Sequence, residues 1–222
     1  MLKSKSEIDF FHEYATTIEN SAEKTIERKE TLYFIMKRII DIIFSLVGLL
    51  ITFPIVVLFS ILIKLETPGP VFFLQERVGL NGKYFKVIKL RSMGVDAEKN
   101  GAKWAEKNDP RVTRVGGFIR KTRIDEIPQF INILVGDMSL VGPRPERAMF
   151  TAKFNMEIPG FIERLRVKPG LTGWAQVNGG YDITPKEKLA LDQYYINNQN
   201  YKLDFKVILM TIKICITGNG AR

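Results

Sequence analysis

Ile42–Ile63 reads IIFSLVGLLITFPIVVLFSILI, 22 residues without a charge. At ~1.5 Å per residue a helix of that length is roughly 33 Å long, about the hydrocarbon thickness of a bilayer. The run is apolar on every side and too long for an ordinary core helix, so it is expected to enter a membrane. It begins after 41 residues and lacks a small-residue cleavage site, which separates it from a secretory signal. Pro54 leaves 12 residues of the run before it and 9 after. Proline removes one helical hydrogen bond and crowds the preceding turn, so a kink is expected there.

The flanks bear on how the run inserts. Lys24, Arg28, Lys29, Lys37 and Arg38 precede it; Lys64, Arg77, Lys83, Lys86, Lys89 and Arg91 follow it. The positive-inside rule pulls both ends toward the cytoplasm. A bent helix that enters and leaves by one face satisfies both pulls, whereas a single span satisfies one. The re-entrant hairpin is therefore the preferred reading and the single span its alternative.

Outward from the run, the 222-residue chain carries a net charge of +9 with a mean hydropathy of −0.02. That average conceals segregation: residues 1–41 sum to −1 and the remainder to +10. The excess favours phosphates and acidic lipid as partners. Nucleic acid also suits a basic chain, but it explains neither the membrane run nor an acidic pair in the basic zone, so it is set aside. A single cysteine, Cys215, and a single histidine, His12, exclude an intrachain disulfide framework and multi-thiolate and paired-histidine metal sites, and argue against a histidine-based triad. Phosphate-loop, dinucleotide-binding, zinc-protease and serine-hydrolase motifs are absent from the sequence.

The chain divides into residues 1–35, a polar accessory tail; 36–66, the membrane helix; and 67–222, the domain that follows it. In the tail, Ile8, Phe11, Ala15, Ile18, Ala22 and Ile26 recur at helical spacing, suited to packing on the body, a second copy or an assembly partner. Val71–Leu74 and Tyr84–Leu90 read as short strands around a Leu80–Lys83 loop. Ala97–Lys107, two pieces within Val115–Leu134, Lys186–Asn197 and Phe205–Ile216 read as helices. The last is amphipathic, with Lys206 and Lys213 on one stripe, and fits either a membrane interface or a domain cap.

Chemistry concentrates at Asp125-Glu126. Eleven Lys/Arg and four Asp/Glu lie between Lys86 and Arg123, yet an acidic pair follows at once. Pro128 fits a first helical turn, which places the carboxylates at or just before a helix N-terminus. One reading is a favourable helix-dipole or capping interaction. The other is a nucleophilic carboxylate beside a metal-binding one, a known way to accept a phosphoryl group. Arg120, Lys121 and Arg123 lie close by in sequence. Arg144, fixed between Pro143 and Pro145, offers a planar fork for phosphate oxygens. Lys89 and Arg91, two apart at a strand end, are expected to point the same way and add a phosphate contact.

These residues resemble a family. Lys37-Arg38-Ile39-Ile40-Asp41 leads into a Pro-broken apolar run. Thr67-Pro68-Gly69-Pro70-Val71, Gln75-Glu76-Arg77-Val78-Gly79 and Lys89-Leu90-Arg91-Ser92-Met93 follow. Then come Arg123 to Gln129 (RIDEIPQ), Gly136 to Glu146 (GDMSLVGPRPE) and Lys168 to Val177 (KPGLTGWAQV). In this order the motifs are similar to those of the bacterial sugar transferases, the monotopic polyprenyl-phosphate phosphoglycosyl transferases, from about Met36 to the C-terminus.

The resemblance implies a mainly α fold with a few short strands. It implies a monotopic protein with a re-entrant helix hairpin, interfacial amphipathic helices and a small cytoplasmic catalytic domain on the bacterial inner membrane. It also implies transfer of a sugar-1-phosphate from a UDP-sugar to undecaprenyl phosphate, with release of UMP, as the first membrane step of exopolysaccharide, capsule or O-antigen assembly. Carried over, Asp125 is the nucleophile that forms a phosphosugar intermediate, and Glu126 with Asp125 holds Mg²⁺. Arg120 and Arg144 match phosphate-binding positions, and Lys89 and Arg91 fall in a basic motif of the family. The family's membrane helix breaks at a Ser-Pro pair; here the pair is Phe53-Pro54, with Thr52 the nearby hydroxyl able to bond a freed carbonyl. Two other classes remain for comparison: a non-catalytic basic membrane scaffold, and a CDP-alcohol phosphotransferase, whose several spans and spaced aspartates the sequence lacks.

Overall fold

A computed structural model describes residues 28–99, 109–179 and 183–217. The expected tail helix and most of the expected Ala97–Lys107 helix lie outside these residues. The described chain is mostly helical with a few short strands, and its first helix is long, apolar and compatible with membrane association.

Helix α1, Arg28–Glu66, has 39 residues and contains Pro54 as one uninterrupted element. Thr52 does bond a carbonyl, but it is that of Gly48 at 2.6 Å. The carbonyl that Pro54 deprives of a helical donor is Leu50's, one turn before the proline. Mid-helix side chains face outward: Leu50 is 78% exposed, Ile51 68% and Phe53 65%. Both ends of α1 meet the body. Toward the N-terminus, the Asp41 carboxylate accepts hydrogen bonds from Leu140 N at 2.9 Å and from the Ser139 hydroxyl at 3.1 Å. The Arg38 guanidinium donates to the Leu134 carbonyl at 2.6 Å and to that of Ile133. Toward the C-terminus, Val56, Phe59 and Ile63 pack with Leu90 and Ile119, and Phe59 stacks on Phe118.

After the Thr67–Pro70 turn, β1 (Phe72–Val78) and β2 (Tyr84–Leu90) form the expected antiparallel hairpin, with Phe73 opposite Lys89. Helices α2 (Arg114–Lys121) and α3 (Gln129–Val135) are the two helical pieces expected over Val115–Leu134, joined by a short 3-10 turn (Ile124–Glu126). Strand β3 (Ser139–Val141) pairs in parallel with β4 (Gly170–Thr172), the Ser139–Gly170 and Val141–Thr172 pairs setting the register. The backbones approach closely beside that ladder. A Cβ at Gly142 would lie 2.4 Å from the Lys168 carbonyl oxygen, and one at Gly170 2.1 Å from Gly142 N. Only glycine permits this contact.

Helix α4 (Ala148–Glu157), a second 3-10 segment (Phe161–Arg166), α5 (Trp174–Gly179), α6 (Pro185–Asn197) and α7 (Tyr201–Thr217) complete the body. Thr184 and Glu187 close a capping box at the start of α6. The main core gathers Phe85, Val87, Ile133, Met138, Leu140, Val141, Tyr195, Leu203 and Val207 from the hairpin, α3, β3, α6 and α7. The start of α1 is tied to this core by polar bonds: Tyr33 OH and Lys37 Nζ each donate to Asp204 Oδ2 at 2.7 Å.

Candidate active site

The acidic pair is placed by a reversal of the chain between two helices. Glu66, ending α1, accepts hydrogen bonds from Arg114 N at 2.7 Å and Val115 N at 3.1 Å, which fixes the start of α2. At its other end Arg123 adopts φ +58°, the left-handed region that non-glycine residues rarely occupy. The chain then folds into the Ile124–Glu126 turn, with Glu126 N bonded to the Arg123 carbonyl at 3.1 Å. Pro128, at φ −60°, leads into α3. Asp125 and Glu126 therefore sit just before a helix start, as the proline suggests, and both are buried, at 7% and 8% exposure.

The two neighbours have opposite surroundings. Glu126 is ringed by cations: Lys89 Nζ lies 3.0 Å from Oε1, the Arg144 guanidinium pairs with both carboxylate oxygens, and Arg123 Nη1 is 3.7 Å from Oε2. Burial by itself would raise the Glu126 carboxyl, but Arg144, Lys89 and Arg123 outweigh it and hold the group well below the usual range. The Asp125 carboxylate makes no side-chain hydrogen bond or ion pair among the described residues. Burial pushes it up to about 6; Lys89 opposes the rise and the Glu126 charge adds to it. Arg120, half-buried in the last turn of α2, also makes no ion pair among the described residues, and its charge favours ionised Asp125.

Lys89 and Arg144 thus converge on Glu126 of the pair, and the charge of Arg120 acts on Asp125. Arg91 does not join them. Its guanidinium donates to the carbonyls of Thr67, at 2.8 Å, and Pro68, and so staples the turn that follows α1. The ladder runs one step past β2, with Arg91 N bonded to the Val71 carbonyl at 2.8 Å, so it is the nearby turn carbonyls, not a loss of strand alternation, that draw the guanidinium away from the acidic pair.

Comparison with known proteins gives the family. Residues 32–218 match the family described as bacterial sugar transferase. The chain belongs to this family. A Bacillus subtilis (strain 168) protein, provisionally named an undecaprenyl-phosphate N-acetylgalactosaminyl 1-phosphate transferase, is 62% identical over 64% of this chain and 79% of its own length. An Aeromonas hydrophila UDP-N-acetylgalactosamine-undecaprenyl-phosphate N-acetylgalactosaminephosphotransferase is 46% identical over 86% of this chain and 46% of its own length. The Escherichia coli (strain K12) UDP-glucose:undecaprenyl-phosphate glucose-1-phosphate transferase is 41% identical over 80% of this chain and 39% of its own length. The chain therefore spans less than half the length of the last two relatives.

In this sugar transferase, sequence reasoning missed a second polar cluster behind the first. Glu146, 8% exposed, pairs with Lys188 of α6 and, at 3.4 Å, with Arg77 of β1. Burial by itself would raise Glu146, but Lys188, Arg77 and Arg164 together bring it down to about 2. Arg123 was legible as a nearby cation, but not as the left-handed residue that turns the chain. The cluster had a faint sequence signal, because a Gly142-Pro143-Arg144-Pro145 segment has few backbone donors and must be held through its carbonyls.

Proposed function

We propose that this chain transfers a sugar-1-phosphate from a UDP-sugar to undecaprenyl phosphate, releasing UMP, with a phosphosugar carried on Asp125 between two half-reactions. The observation that supports this best is the asymmetry of the dyad. One buried carboxylate makes no side-chain ion pair among the described residues and is raised by burial to about 6, while its neighbour anchors the cations. In the first step an Asp125 oxygen attacks the sugar-bearing phosphorus; the carboxyl oxygen–phosphorus bond forms, the phosphoanhydride bond breaks, and UMP leaves with the bonding electron pair. In the second, a phosphate oxygen of the lipid attacks the same phosphorus and frees Asp125. Phosphoryl transfer asks mainly for positioning and charge neutralisation, which Arg144, Arg120 and Lys89 would supply. A basic scaffold has no use for such a carboxylate.

The donor set fits Mg²⁺ held jointly with substrate. That ion commonly takes one or two carboxylates together with phosphate oxygens, and no cluster of three or more acidic, histidine or cysteine side chains able to hold a metal by itself occurs among the described residues. Glu126 and Asp125 would hold it, and when bound it would neutralise diphosphate charge.

Attachment of both ends of α1 to one body supports the re-entrant arrangement, with that body on the cytoplasmic face where nucleotide sugars are made. Exposed Tyr201, Phe205, Leu209 and Ile212 form a stripe on α7 beside Lys202, Lys206 and Lys213, suited to an anionic membrane interface. The sugar proposed is N-acetylgalactosamine, on the strength of the Bacillus and Aeromonas relatives. The test is UMP release from a panel of UDP-sugars by the membrane-embedded protein, with and without polyprenyl phosphate and Mg²⁺. UDP-N-acetylgalactosamine should be used best, and Asp125→Asn should abolish turnover while remaining in the membrane. Turnover by Asp125→Asn at the wild-type rate would remove Asp125 as the nucleophile.

A further inference from the structure

Arg144 stands on a segment with two prolines, so its backbone is held mainly by what its carbonyls accept. Each carbonyl from Pro143 to Glu146 accepts a hydrogen bond, and the donors come from different places in the chain. Gly170 N bonds Pro143 at 2.9 Å and Val78 N bonds Glu146 at 3.0 Å. Arg77 Nη1 bonds the Pro145 carbonyl at 3.0 Å. Arg164 Nη2 bonds the carbonyl of Arg144 itself at 2.8 Å.

Arg164 is the unusual donor. It is 4% exposed, its Nε lies 2.6 Å from Oδ2 of Asp192, and Asp192 is 1% exposed on α6. The Phe161 ring lies 4.8 Å below its guanidinium. Burying two charges this deeply is costly, and apolar residues of similar size often serve stability as well or better. A stability role therefore accounts poorly for the pair. The fork geometry accounts for it well: one edge of the guanidinium is fixed by Asp192, and the other is thereby aimed at the one carbonyl that sets where Arg144 stands.

We infer that Arg164, oriented by Asp192, is a positioning residue for the transfer reaction, holding the Arg144 backbone so that its guanidinium meets Glu126 and the phosphate beside Asp125. The inference rests on the transferase reading and deepens it: neither Arg164 nor Asp192 touches substrate, and both act through Arg144.

The experiment compares variants of the full chain in nanodiscs of phosphatidylethanolamine and phosphatidylglycerol. Arg164→Met should lower kcat roughly 10- to 100-fold, the scale of a small misplacement of a catalytic group, with KM for the UDP-sugar changed less than about threefold. Arg164→Lys, which keeps the charge opposite Asp192 but loses the planar fork, should recover part of the loss. In an Arg144→Lys background, Arg164→Met should add no more than about a twofold loss, because its effect runs through the residue already altered. A merely structural role would reduce the folded fraction alike in both backgrounds, so the losses would multiply. Multiplying losses, or an undiminished kcat in Arg164→Met, would overturn the inference. If Arg164→Met does not fold, the double variant Arg164→Met/Asp192→Leu carries the same comparison with the buried charges removed together. Wild-type turnover reads the transferase function by itself. Should that fail, pyrophosphate affinity by calorimetry on the same samples takes its place: Arg144→Lys and Arg164→Met should weaken it by similar factors without compounding, and compounding would refute the inference.

Discussion

Asp125 and Glu126 are adjacent in sequence and equally buried, yet the protein treats them as different reagents. Asp125 is lifted from 3.8 to about 6 by burial, against the pull of Lys89 and with the push of Glu126. A protonated carboxyl is a poor nucleophile, so kcat/KM should fall on the acid side of about pH 6 and level off above it; a pH profile across 5–8 at saturating lipid measures this. The same shift has a stability consequence. The folded state binds the Asp125 proton more tightly than the unfolded state does, so stability declines as pH rises from about 4 to 6 and stays lower beyond. A separation from 3.8 to about 6 corresponds to about 3 kcal/mol at neutral pH. Asp125→Asn should therefore raise the thermal midpoint at pH 7.5 while it removes activity, the trade expected of a catalytic carboxylate. Glu126→Gln should do the reverse. Glu126 is held below its ordinary value, so its contribution is present above about pH 4.5 and lost as pH falls. Removing its charge leaves Lys89, Arg144 and Arg123 facing one another and should cost about 3 kcal/mol, read as a lower midpoint at neutral pH that converges on wild type in acid.

Among the elements, α1 does most to place the site, because residues along its length hold β3, α3 and α2. Asp41 is the strongest of these ties, 3% exposed and accepting from Leu140 N and the Ser139 hydroxyl. Asp41→Leu removes both bonds and strands a buried backbone N–H, which should cost about 1–3 kcal/mol. A denaturant midpoint in detergent micelles reads that loss, and the acid limb near pH 6 should not move. The apolar run and the Tyr84–Leu90 strand were legible because their patterns extend over many residues. The acidic turn was legible because Pro128 can stand only near a helix start. Strands β3 and β4 were not, since each has three residues and finds its partner thirty residues away. Helix α4 was missed for a related reason: it has no acidic residue in its first turn and no side-chain cap, so little in the sequence announces its start. Arg91 was misplaced because strand alternation says nothing of the Thr67 and Pro68 carbonyls that claim its guanidinium.

Considered whole, the molecule carries an outward-facing apolar helix attached at both ends to a single basic body. A straight helix of 39 residues would run roughly 58 Å, and a true span would hold its ends on opposite faces of about 30 Å of hydrocarbon. Here residues around Asp41 touch β3, and residues around Ile63 touch β2 and α2, in the same folded unit. A body that reaches both ends cannot lie on one side of a bilayer that separates them. The proposed re-entrant arrangement would keep these contacts, with Leu50, Ile51 and Phe53 dipped into lipid, and would leave Asp125 at headgroup depth, within reach of the lipid phosphate and the soluble nucleotide sugar proposed as substrates. Its consequence is sharp. In a Cys215→Ser background, a cysteine at Lys3 and another at Lys99 should both resist a membrane-impermeant maleimide in intact cells and react once the membrane is opened. Reaction of the Lys3→Cys protein alone from outside would mean that α1 crosses the bilayer. The contacts of Arg38 and Asp41 with the body would then have to be absent in the membrane, and the shallow site proposed for both substrates would fall with them.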